Sequence, residues 1–226
     1  MGGASDGGRT RCPPFRRVAP GGGLCEARDG ARWRREIAMQ PTEAARDTAE
    51  ARRAAALKAL RELHAEVDQS AARLERAHAG RLQCRRGCSG CCIDDLRVFE
   101  IEAENIRDRH GALLQAAEPH AKGACAFLDA AGSCRIYADR PYVCRTQGLP
   151  LRWFEDPEGR GDAVEHRDIC VLNIEGPPLE SLPAAVCWEI GPVEARLAEL
   201  ESRYEQVSGD AAGNLRRVAL RSLFVR

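Results

Sequence analysis

Residues 84–92 read Cys84-Arg85-Arg86-Gly87-Cys88-Ser89-Gly90-Cys91-Cys92, and this stretch decides the fold of the chain. Short C-x3-C and C-x2-C spacings let one tight backbone turn aim several sulfurs at a single point, and thiolates are strong, soft ligands for zinc, iron and Cu(I). Gly87 and Gly90 support a metal site independently, because glycine permits φ > 0 and lets backbone N–H groups approach sulfur. Adjacent side chains diverge along an extended backbone. Cys91 and Cys92 therefore point to two metals, to one multinuclear cluster, or to a ligand beside a second thiol.

Downstream, Cys125-Ala-Phe-Leu and Cys134-Arg-Ile-Tyr are short alternating runs separated by Asp-Ala-Ala-Gly, the pattern of a small β-hairpin that would set Cys125 near Cys134. Asp139-Arg140-Pro141 reads as a turn opening a short helix that delivers Cys144. Leu96–Phe99 reads as a short strand leading into a helix from Glu100 to about Ala117, with Ile101, Ile106, Leu113 and Leu114 on its apolar face. Glu102 and Glu104 read as solvated first-turn acids favoured by the helix dipole. Leu149–Phe154 and Asp162–Glu165 pair as strands around Asp156-Pro-Glu-Gly159, covering the site with apolar surface.

Upstream, the stretch from Thr42 to about Ala79 is rich in Ala, Glu, Arg and Leu, and Thr42 is a suitable N-cap. Leu60, Leu63, Val67, Ala71, Leu74 and Ala77 step by three or four along one face. Such a stripe wants a partner, either the chain's own C-terminal helices or a second copy in a homodimeric coiled-coil seam. His64 and His78 on or beside this helix read as solvated. Residues 1–41 are Gly-, Arg- and Pro-rich without periodicity, so a disordered tail is expected, with Met39 as the true start and Cys12 and Cys25 as unpaired tail thiols.

Eleven cysteines would suit a secreted disulfide scaffold. However, the N-terminus MGGASDGGRTRCPPFRRVAP lacks the apolar core of about 7–15 residues that a signal peptide needs. No stretch approaches the ~20 apolar residues of a membrane span. The chain reads as cytoplasmic, a reducing setting in which clustered cysteines are metal ligands rather than disulfides. Lys+Arg 34 equals Asp+Glu 34, so net charge argues for neither a nucleic-acid nor a membrane partner.

The compound pattern Cys-x3-Cys-x2-Cys-Cys, Cys-x-Phe-Leu, Cys-x-Ile-Tyr, Arg-Pro, Cys-Arg and Gly-Leu-Pro resembles the YkgJ-type cysteine-cluster family, described as a zinc- or iron-chelating domain. The match runs from about Cys84 to Cys170, and Asp168-Ile-Cys170-Val-Leu-Asn173 is similar to a segment in one branch of that family. The resemblance implies a bacterial, cytoplasmic metal-binding protein; similar domains also occur in a flagellin lysine methylase. It implies a ligand pool of Cys84, Cys88, Cys91, Cys92, Cys125, Cys134, Cys144 and Cys170, with Arg140 and Arg145 offsetting thiolate charge beside the metal. The count fits two tetrahedral zinc sites, one [4Fe-4S] cluster with spare thiols, or a bridged binuclear centre. Cys187 lies outside the pattern and reads as a small buried hydrophobe.

Cys84, Cys88 and Cys91 also match the C-x3-C-x2-C spacing of radical S-adenosylmethionine enzymes. The alternating strands and helices of their partial barrel do not follow, so a radical or methyltransferase-associated accessory activity ranks below the other readings. No conventional catalytic motif is present, and of His110, His120 and His166 the last, four residues before Cys170, is the foremost candidate for a mixed ligand or base.

The expected fold is α+β and mainly helical. Residues 42–80 form a long amphipathic helix and 81–175 an irregular cysteine-rich metal-binding centre with a small hairpin. Residues 176–226 supply a loop and C-terminal helices, at Pro192–Gln206 and Ala211–Val225, that pack on the core. The expected function is an iron–sulfur or iron centre for electron transfer or redox sensing, with structural zinc for protein–protein interaction as the alternative. A protein or redox partner goes with either, and both make folding depend on metal.

Overall fold

Ala, Leu, Glu and Arg, all strong helix formers, fill the first element, helix α1 (Glu43–Ala77). Leu57, Leu60, Leu63, Val67 and Ala71 on its inner face are buried, each leucine or valine contributing about 1.5–3 kcal/mol of burial. The computed structural model describes residues 43–85, 87–156, 159–208 and 215–224. The 1–41 tail with Cys12 and Cys25, the Thr42 cap, Arg86 and Arg226 lie outside the described residues.

After α1 the chain runs through the cysteine loop to β1 (Arg97–Phe99), helix α2 (Glu100–Ala116) and the short α3 (Tyr142–Arg145). Strands β2 (Leu151–Glu155), β3 (Val164–Asp168) and β4 (Trp188–Glu189) form a three-stranded sheet in the order β3-β2-β4. β2 and β3 are antiparallel with Trp153 opposite His166, and β4 adds parallel to β2. Helix α4 (Pro192–Ser208) and β5 (Arg217–Ala219) complete the chain. The architecture is α+β.

Two apolar cores flank α2. The first joins the α1 stripe to Phe99, Ile101, Tyr142, Leu149, Trp188, Leu197 and Tyr204, so α1 spends its apolar face on its own chain, chiefly α4. The second gathers Val98, Ala103, Ile106, Phe127, Ile136, Val218, Leu220 and Phe224, with the Phe127 and Phe224 rings 5.0 Å apart.

Several expectations are corrected by this packing. His64 and His78 are buried, not solvated, because they continue the α1 stripe at steps of four; His78 Nε2 lies 2.7 Å from the Val186 carbonyl. Glu102 and Glu104 are buried as well. The Glu102 carboxylate accepts the N–H groups of Phe99 and Tyr142, and Glu104 pairs with Arg53 and Arg107. Within the predicted last helix, residues 217–223 form instead strand β5 and a 3-10 turn over Leu220–Leu223. The open edge of β1 captures them: Val98 pairs Val218, and Leu220 donates its N–H to Leu96. Arg217, though exposed, stacks on Phe99, and Arg221 is partly buried and donates to the carbonyls of His120 and Ala124. The Cys125–Cys134 hairpin shrinks to a single bridge between Leu128 and Cys134. The Asp129 carboxylate takes the N–H groups of Ala131 and Ser133, curling the chain through Gly132 (φ +73°) before a ladder can extend.

Candidate metal centre

Cys84 emerges just beyond α1 and is fixed from the far side of the sequence. Cys170 opens a 3-10 turn over Val171–Asn173, and the Asn173 N–H donates to the Cys170 carbonyl at 2.8 Å. The Asn173 side chain is fully buried. Its Oδ1 accepts the Gln83 N–H at 2.7 Å, while Nδ2 donates to the Gly148 carbonyl at 2.8 Å and reaches Cys84 Sγ at 3.4 Å. The Arg81 guanidinium, also buried, holds this turn by donating to the carbonyls of Asn173, Ile174 and Pro177. Gly148 is the other wall: its φ is +94°, and a Cβ there would stand 2.6 Å from Cys84 Sγ. Only glycine allows that approach.

Cys92, Cys125, Cys134 and Cys144 form a second arm. The Cys125 N–H donates to the Cys92 carbonyl at 2.8 Å, tying the cysteine loop to the next segment. The Leu128–Cys134 bridge brings Cys134 back beside that segment. Cys144 rides on α3, whose first N–H, at Tyr142, is held by Glu102 at 2.8 Å. Arg145, adjoining Cys144, donates to Asp68 of α1 at 2.5 Å and to the Ala138 carbonyl at 3.1 Å. Its contacts anchor α3 to α1. Arg140 stacks on Tyr137 with its guanidinium 4.1 Å from the ring centre, and its positive charge favours the thiolates of Cys91, Cys134 and Cys144.

Burial pushes up the thiols of Cys84, Cys125 and Cys134, and that of Cys144 to about 12. At Cys84 the Asn173 N–H opposes this by stabilising the thiolate. Cys91 is brought down to about 6, chiefly by a hydrogen bond from Cys92, whose own thiol is correspondingly raised. Negative charge on Cys88, Cys170 or Cys91 is felt at Cys84; Cys92 feels Cys91, Cys125 and Cys144, and Cys144 feels Cys125 and Cys134. Each of these thiols thus lies in electrostatic reach of at least one other, and all are free.

Among the described residues, no three Cys, His, Asp or Glu side chains are already closed on one point as a metal-binding group. Cys84 and Cys91 are exposed at the rim, Cys125 is buried, and the others lie between. The donor chemistry fits a thiophilic metal: neutralising thiolate repulsion is what such an ion supplies when bound, and a rim thiol can turn inward. Cys187 is buried away from this set, with its Sγ 3.8 Å from the Pro183 carbonyl. His110 pairs with Asp139 at 2.9 Å, and His166 stacks on Trp153, so each has a structural partner. His120 contributes backbone bonds to Ala126 and Arg221. Asn173, Gly148 and Arg81 were given no role by sequence reasoning. Asn173 sits in the same short run as Cys170, and that proximity was the available signal.

Among known proteins, residues 83–160 match the family model CxxCxxCC, described as a "putative zinc- or iron-chelating domain". No curated protein and no solved structure matches the chain. Residues 83–160 are thus similar to a zinc- or iron-chelating cysteine-cluster domain, and Asn173 reaches the first cysteine of that segment from beyond its matched end.

Proposed function

We propose that the cluster holds iron in thiolate coordination, as an iron–sulfur or iron centre for electron transfer or redox sensing. The supporting observation is the placement of the thiols: Cys84 and Cys91 lie exposed, while the first apolar core packs with none of these thiols in it. A metal required only for folding is typical of domains too small to bury a core. A centre at the rim can exchange electrons with a partner. Ile93, Val171, Leu172 and Ile174, which flank Cys92 and Cys170 in the chain, are large exposed apolar side chains suited to a protein or redox partner. When bound, iron in such a site supplies one-electron exchange. Arg140 and the Asn173 amide offset thiolate charge, and burial of Cys125 excludes water from the inner side.

The alternative, structural zinc for protein–protein interaction, is favoured by a different observation: Cys125 belongs to the second core, and Cys92 and Cys134 pack against it. Protein purified without oxygen decides between them. The iron reading expects a brown sample with broad charge-transfer bands and iron by elemental analysis; a colourless sample with stoichiometric zinc sinks it.

A further inference from the structure

We infer that Arg221, far beyond the matched segment 83–160, is a positioning residue for the thiols: with Asp94 it clasps the Cys92 and Cys125 ends of the second arm against each other. The inference rests on the metal-chelating reading of the cluster and adds to it the residue that pre-forms one side of the site.

Residues 117–124, which lead into Cys125, contain neither helix nor strand, so their carbonyls must find partners elsewhere. Arg221 takes three of them. Its Nη1 donates to the His120 carbonyl at 2.6 Å, and its Nη2 to those of Ala121 at 3.2 Å and Ala124 at 2.8 Å. The same guanidinium pairs with the carboxylate of Asp94, two residues past Cys92. The other Asp94 oxygen accepts the N–H of Gly123, two residues before Cys125, at 2.8 Å. The backbone bond from the Cys125 N–H to the Cys92 carbonyl, also 2.8 Å, completes the clasp. Arg221 is itself fixed on both sides: Leu220 donates its N–H to the Leu96 carbonyl at 3.0 Å, and Phe224 packs on Phe127. Its side chain is only 20% exposed and that of Asp94 23%, so the pair is largely withdrawn from water. A planar guanidinium with five donors serves one carboxylate and three carbonyls together, which a lysine ammonium on a flexible stem does not.

The test uses the full chain, reduced and kept from oxygen, with zinc in competition against a chelator and cobalt(II) as a coloured substitute whose thiolate absorption reports the sulfurs bound. Arg221→Lys keeps the charge and every thiol but loses the fork. It is expected to weaken zinc binding about 10–100-fold and to lower the thiolate-to-cobalt absorption. Asp94→Asn opens the clasp from its other end and should do the same, and the double variant should be no weaker than the weaker single one, because both remove one contact. Arg217→Lys, in the same C-terminal segment but stacked on Phe99 of the first core, should leave both readings at wild-type values. Wild-type zinc affinity in Arg221→Lys and Asp94→Asn overturns the inference. So does equal weakening in Arg217→Lys, which marks a general loosening of the segment, or a loss of affinity with an unaltered cobalt spectrum, which assigns Arg221 to stability alone. Should Arg221→Lys fail to fold, Asp94→Asn decides on the same criteria. A wild type that binds no zinc, iron or cobalt refutes the metal-chelating reading itself, a result distinct from any of these.

Discussion

Asn173 shows how much one residue carries. It spends its side-chain donors and acceptor on the adjacent Gln83 and Cys84 and on Gly148, joining two segments that lie far from it and from each other in the sequence. Gly148 is its counterpart, at a φ of +94° and with no room for a Cβ beside the sulfur. Gly148→Ala is expected to displace Cys84, lower zinc affinity in chelator competition, and cost about 1–2 kcal/mol in urea unfolding from the left-handed backbone alone. Unchanged zinc affinity would show that Cys84 is not held at this wall. The candidate metal ligands were legible in the sequence because thiolate chemistry is a property of the residue and of short spacing. Neither Asn173 nor Gly148 was, because an asparagine or glycine acquires such a role only from what faces it.

At the scale of elements, the N-terminus of α2 is where buried acids do the capping. Glu201 on α4 is fully buried and accepts the N–H groups of Glu100 at 3.1 Å and Ile101 at 2.8 Å. Burial outweighs those bonds and lifts its carboxyl from 4.5 to about 7. A raised carboxyl means that the folded chain holds a proton which the unfolded chain has released between these two values. Its contribution is therefore complete below 4.5 and is lost as pH climbs through about 7. The difference in melting temperature between wild type and Glu201→Gln should shift across that window, with wild type losing stability as pH rises, and be flat outside it. A constant difference from pH 4 to 8 would place the carboxyl at its ordinary value. The helix boundaries themselves were legible in the periodic pattern, as with α4. The last segment was misread as a helix because Ala and Leu favour one, whereas the unpaired edge of β1 rewards a strand through hydrogen bonds that only the folded sheet offers.

For the whole molecule, α2 divides two cores, and the second cysteine arm attaches to the second core through Cys125, Cys92 and Cys134. Phe127, fully buried against Phe224, is the keystone of that core; Phe127→Ala should cost about 3–5 kcal/mol in denaturant unfolding. Stripping metal with a chelator should lower the melting temperature while the far-ultraviolet helical signal of α1, α2 and α4 largely persists, because the first core contains none of these thiols. Complete loss of that signal would instead make the metal a requirement of the entire fold. Among the described residues, no helix is long and apolar enough to cross a membrane. The sequence by itself pointed to a cysteine cluster of zinc- or iron-chelating type and to the long helices, because ligand type and periodicity are local. Only the tertiary structure decided what holds Cys84, which acids and histidines are buried, and where residues 217–219 pair. Each of those depends on residues brought together from distant parts of the chain by the burial of apolar surface.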